Sequence, residues 1–102
     1  MYQRNTSMVA RGYVPAQEAA NIVGKANSTL HRLANNKSAE VEHMRDGRAL
    51  YISLASLHDY YATNGNSVYA DLVKKYADKL VREGEMAKSA WSTAAPKKRG
   101  RQ

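Results

Sequence analysis

Two short helical segments split by a glycine turn constrain this 102-residue chain more than any other feature. Ala16–Val23 carries Ala19, Ala20, Ile22 and Val23 at helical spacing, and Pro15 ahead of it suits a helix start. Tyr13-Val14 is extended, because a residue before proline avoids the helical region. Gly24 ends the first helix where glycine, free to adopt left-handed backbone, usually stands. Lys25-Ala26-Asn27 forms the turn, with Asn27 as the expected N-cap, and residues 28–35 form the second helix. Neither segment is long enough to be stable alone in water. They must cross and bury Ile22, Leu30 and Leu33 against the hairpin and third helix downstream. Ser28, Arg32 and Asn35 then share the outer face of the second helix.

Residues 41–52 read as a hairpin around Asp46-Gly47, a favoured two-residue loop. With that loop, Arg45 faces Arg48, Met44 faces Ala49, His43 faces Leu50 and Val41 faces Ile52. Val41, His43, Leu50 and Ile52 then share the face expected to cover the helices. The two arginines stand together at the tip, where like charges destabilise a hairpin unless an anion or Asp46 neutralises them. Ser53 caps a third helix running to Tyr61, with Leu54, Leu57, Tyr60 and Tyr61 at helical spacing.

Residues 63–67, Thr-Asn-Gly-Asn-Ser, are turn formers and read as a linker. A last helix is expected over residues 68–91. Its stripe is Tyr69, Val73, Tyr76, Leu80, Gly84, Ala87 and Trp91, and its other face is charged. Residues 1–11 lack periodicity and read as a flexible arm, and residues 92–102 read as a disordered basic tail. The expected organisation is an arm at 1–11, a domain at 12–62, a linker at 63–67, a helix at 68–91 and a tail at 92–102. The expected fold class is mainly α with a small β-hairpin.

The net charge is +7, which points to a polyanion as partner. The last six residues hold Lys97, Lys98, Arg99 and Arg101 with no acid, so the body is only mildly basic. Arg99-Gly100-Arg101 resembles the core of an AT-hook without its C-terminal proline, and an electrostatic tail is the simpler reading. Absent cysteines remove disulfides, zinc-thiolate sites and thiol nucleophiles. No apolar run is long enough to span a membrane, and the N-terminus lacks the apolar segment of a signal peptide. A cytoplasmic protein is expected, in a bacterium or a phage-infected cell. His43 and His58 have no partner at metal-ligand spacing. No nucleophile–base pair or phosphate-cradling glycine loop is present, so neither a catalytic role nor a cofactor is expected.

The stretch from Tyr13 to Leu33, YVPAQEAANIVGKANSTLHRL, resembles the opening of the excisionase and MerR-like winged helix-turn-helix superfamily. Glu18-Ala19-Ala20, Gly24, Ser28-Thr29-Leu30 and Arg32-Leu33 carry the likeness. Arg45-Asp46-Gly47-Arg48 resembles that family's wing, and Ile52 to Tyr61 its closing helix. About half the chain is covered, in collinear order. Lys25 stands where the family is usually apolar, Asn27 where arginine is common, and His31 where tyrosine is common.

The resemblance implies binding to double-stranded DNA, with the second helix reading base edges in the major groove. On that reading Arg32, Ser28, Thr29 and Asn35 face the bases. Lys25, Asn27 and His31 lie near the backbone phosphates. Arg45 and Arg48 reach the minor groove or its phosphates from the wing, and Lys97, Lys98, Arg99 and Arg101 add general affinity. Tyr69, Val73, Tyr76, Leu80 and Trp91 are expected to join protomers into a homodimer or larger oligomer, or to bind a protein partner. The expected function is sequence-selective DNA binding by a small transcriptional regulator or excisionase-like factor of phage or mobile-element type. The alternative is a phage terminase small subunit recognising a packaging site. A third reading is an adaptor whose last helix binds another protein.

Overall fold

A computed structural model describes residues 5–92. Asn5 opens α1 (Thr6–Ala10) as its N-cap, its side chain accepting the Met8 N–H at 3.2 Å. The Asn5 N–H donates to the Tyr51 hydroxyl at 2.8 Å, and Met8 and Val9 are buried. The flexible arm expected over residues 1–11 is therefore, from Asn5 onward, a docked helical turn. Five residues are too few to display a helical period, and long-range contacts hold the turn in place. Residues 1–4 and 93–102, with Lys97, Lys98, Arg99 and Arg101 among them, lie outside the described residues.

Strand β1 (Tyr13–Pro15) leads into α2 (Ala16–Val23), which stops at Gly24 with φ 68° and ψ 34°. The Lys25 N–H donates to the Ala20 carbonyl at 2.9 Å and closes the helix end. Helix α3 (Asn27–Asn35) begins one residue earlier than expected. Ala26 is its cap, in extended conformation, and Asn27 is the first helical residue rather than the N-cap.

Strands β2 (His43–Asp46) and β3 (Ala49–Ser53) form the hairpin, and β3 also pairs with β1, giving an antiparallel sheet ordered β1-β3-β2. The pairing differs from the expected one by two residues. Arg45 lies opposite Leu50, Asp46 opposite Ala49, Met44 opposite Tyr51 and His43 opposite Ile52. The loop is Gly47-Arg48, not Asp46-Gly47. Gly47 has φ 63° and Arg48 has no positive φ, the pattern of a loop that needs glycine only at its first position. Asp46 closes the strand, its carboxylate accepting from the Asn5 amide at 3.0 Å. Arg45 and Arg48 thus do not face each other. His43 keeps its expected side of the sheet but is exposed, because β2 is the edge strand and α2 packs on β1 and β3.

Ser53 caps α4 (Leu54–Thr63), accepting the Ser56 N–H at 3.3 Å. Asn64-Gly65-Asn66 then reverses the chain, with the Asn66 N–H bonded to the Tyr61 carbonyl at 2.8 Å. Helix α5 (Ser67–Arg82) packs back along α4 and against α2. Its Ala70, Val73, Ala77 and Leu80 belong to the same buried cluster as Val14, Leu30, Ile52 and Leu57. The linker expected at 63–67 is a tight reversal, and the single helix expected over 68–91 is two helices, the first of them packed on the domain. Helix α5 also ends early, at Gly84 with φ 79°, and the chain returns as α6 (Lys88–Ser92). Met86 is buried, the Ala87 N–H bonds to the Ala10 carbonyl at 3.0 Å, and Trp91 meets His58 edge-on at 5.4 Å. The ends of the described chain are thereby stitched together.

Among the described residues no helix is long and apolar enough to cross a membrane.

Candidate nucleic-acid interface

Helix α3 is anchored by Leu30 and Ala34, both buried, with Leu33 half-buried beside them. That anchoring turns Asn27, Ser28, Arg32 and Asn35 outward, and all four are exposed. Thr29 and His31 are half-buried at the margins. A shallow open depression lies along this face, lined by Thr29, Arg32, Leu33, Asn35 and Asn36. Asn36 is not among the expected contacts, because it sits past the helix end; its side chain accepts the Ser38 N–H at 3.0 Å. From Ser28 to Asn35 the helix rises roughly 10 Å. That is about three base-pair steps of duplex DNA.

Arg32, Arg45 and Arg48 are exposed and have no ion-pair partner among the described residues. Arg45 projects from the edge strand and Arg48 from the loop. Asp46 lies between them in sequence, but its carboxylate is engaged by Asn5. The hairpin tip therefore presents two exposed cations around one carboxylate, which a neutral amide donor orients without neutralising.

Lys25, in the turn between α2 and α3, is half-buried, and its ammonium lies 4.5 Å from the centroid of the Tyr69 ring. Tyr69 meets Tyr61 edge-on at 5.1 Å, and Tyr61 meets Tyr60 at 5.3 Å. Seven residues along α5, the Tyr76 hydroxyl donates to the Glu18 carboxylate on α2. Neither contact is expected from the sequence, although the seven-residue spacing does put both tyrosines on one helix face. Burial pushes the Tyr61 hydroxyl above the ordinary tyrosine value, and the neighbouring Tyr60 and Tyr69 add to the effect. Burial also raises Tyr13, reinforced by Glu42 and partly opposed by Arg11.

The five residues expected to join protomers face the chain's own interior. Val73 and Leu80 are buried, and Tyr69, Tyr76 and Trp91 are half-buried against the same core. These side chains form no exposed seam. Among the described residues, the large apolar side chains left exposed are Val68 and Leu72, on the other side of α5. His58 lies 3.4 Å from Asp59 and against Trp91, a packing role for a histidine that has no metal-ligand spacing in the sequence.

No family model matches the chain, and neither a characterised protein nor a solved structure does.

Proposed function

We propose that this protein binds double-stranded DNA sequence-selectively through a winged helix-turn-helix, with α3 as the recognition helix and the β2–β3 hairpin as the wing. The supporting observation is the arrangement of α3. It is pinned by its apolar face, while Ser28, Arg32 and Asn35 are all exposed and Arg32 and Asn35 line an open depression. The three-residue turn carrying Gly24 suits two crossed helices of this motif. A polar helix face of this kind fits the major groove, and an exposed arginine on it suits a guanine edge. Arg45 and Arg48, exposed and without an ion pair among the described residues, suit phosphates or the minor groove beside it. A small transcriptional regulator or excisionase-like factor is the role that fits. Assembly of a packaging subunit through a free α5 stripe is not favoured, because α5 is packed into the core.

The test is selection of a preferred duplex from a random pool, then titration of the wild type and two variants. Arg32→Ala should reduce the preference for the selected site over random DNA by about 1–3 kcal/mol. Arg45→Ala with Arg48→Ala should weaken both duplexes alike and flatten the salt dependence, because phosphate contacts release counterions. A wild type that selects no duplex sinks the reading.

A further inference from the structure

Helix α5 lies beyond the stretch that resembles the winged-helix superfamily, yet it grips the helix-turn-helix at two points. Tyr69 sits under the Lys25 ammonium at the turn, 4.5 Å from ring centroid to nitrogen. Tyr76 donates its hydroxyl hydrogen bond to Glu18 in the first turn of α2. The two tyrosines are seven residues apart on α5, and their partners Glu18 and Lys25 are seven residues apart along α2 and its turn. The pairs run in opposite order, Tyr69 with Lys25 and Tyr76 with Glu18, so α5 lies antiparallel to α2 like a splint.

The splint bears on a cation that stands two residues ahead of α3. A lysine on an open turn is a mobile point charge that loses rotamer freedom when it contacts a phosphate. The Tyr69 ring holds the ammonium by its electron-rich face. An ammonium has three N–H donors and the ring takes only one side of it, so donors remain for a phosphate oxygen. Tyr69 is in turn held by Tyr61, which is itself buried. The lysine is pre-placed by a chain of packed rings that leads into the core.

Resting on the DNA-binding reading above, we propose that α5 belongs to the DNA-binding apparatus. Tyr69 is a positioning residue that holds Lys25 as a phosphate contact beside the recognition helix, and Tyr76 fixes the helix that carries the turn.

The experiment uses the full chain and random-sequence duplex DNA, titrated at several salt concentrations. Lys25→Met keeps the stem and removes the charge. It should lower the slope of log affinity against log salt by about one. Tyr69→Leu should weaken binding about two- to fivefold, and its slope should fall toward that of Lys25→Met. Tyr69→Phe keeps the ring and should bind as the wild type does. The Lys25→Met, Tyr69→Leu pair should bind no more weakly than Lys25→Met alone, since both remove one contact. An unchanged slope for Lys25→Met overturns the proposal, and that variant is informative even if Tyr69→Leu fails to fold. Tighter binding by Tyr69→Leu, or additive losses in the pair, also overturn it, for the ring would then be withholding Lys25 or acting elsewhere. The underlying reading is judged separately, by whether the wild type binds and Arg32→Ala loses site preference. In a protein that passes both, an unchanged Lys25→Met slope removes only the role given to α5.

Discussion

Leu80→Ala separates a helix that completes the core from one that swings free. Leu80 is 2% exposed and shares the buried cluster with Val14, Leu30 and Leu57, so its loss leaves a cavity at the contact of α5 with the rest of the chain. A buried leucine cut to alanine costs about 2–5 kcal/mol, from lost transfer energy and the cavity together. In a domain of this size each kcal/mol moves Tm by roughly 4–8 °C. The lower ends of both ranges give a fall of at least about 8 °C. Leu72→Ala on the same helix is the control. Leu72 is 38% exposed, and a surface substitution is worth about 0.5 kcal/mol or less. Thermal unfolding of both variants, tracked by circular dichroism at two protein concentrations tenfold apart, reads the difference. One cooperative transition, early for Leu80→Ala and independent of concentration, is expected. If Leu80→Ala melts with the wild type, or Tm rises with concentration only when Leu80 is present, α5 packs between chains and the single-chain core is wrong.

Backbone strain and tyrosine titration supply two further tests. Glu40 is the one non-glycine residue with positive φ among the described residues, at 56°, and it is exposed. Glu40→Gly relieves a left-handed penalty of about 1–2 kcal/mol and adds unfolded-state entropy of about 0.4–1, so denaturant unfolding should show a net gain between about 0 and 1.6 kcal/mol; a loss would mean the carboxylate has a role of its own. Tyr61 and Tyr13 have folded pKa values raised above 10.0. Their neutral forms are favoured in the fold, so the stability they support is complete below pH 10 and is lost as pH rises through the raised values. Urea midpoints measured between about pH 8 and pH 11 should therefore fall above about pH 10. Tyr61→Phe should make that fall shallower, and an identical fall in both proteins would show that Tyr61 does not titrate on unfolding.

Local chemistry is legible where a single residue type dictates it. Helix α2 has the bounds that Pro15 and Gly24 imply, and Ser53 caps α4 as its hydroxyl suggests. The outward face of α3 follows from Leu30 and Ala34, with Leu33 packed beside them. Features that depend on contacts distant in sequence are not legible. Helix α1 exists because Asn5 reaches Tyr51 and Asp46, more than forty residues away. The hairpin loop sits one position later than the sequence suggests, since Asp-Gly and Gly-Arg are both acceptable loops and local sequence does not rank them. Asn5 favours the second, by holding Asp46 at the strand end. That slip changes the site, because it separates Arg45 from Arg48 and leaves each arginine without an ion pair among the described residues.

Helix α5 departs from expectation for a different reason. A stripe such as Tyr69, Val73, Tyr76 and Leu80 is equally apolar whether it covers a partner or its own chain, so periodicity cannot choose. Size can. A domain ending near residue 62 would hold about fifty residues, where a single core is marginal without disulfides or metal, and this chain has no cysteine. Its two central helices are of eight and nine residues and cannot stand alone. Ala70, Val73, Ala77 and Leu80 supply the missing layer. The three-residue reversal at Asn64-Gly65-Asn66 is the length that sets antiparallel helices side by side rather than apart. The same economy explains why Tyr69 and Tyr76 end at Lys25 and Glu18. A helix recruited to complete a core this small must lie against α2, and its half-buried tyrosines then meet the charged residues at the two ends of α2.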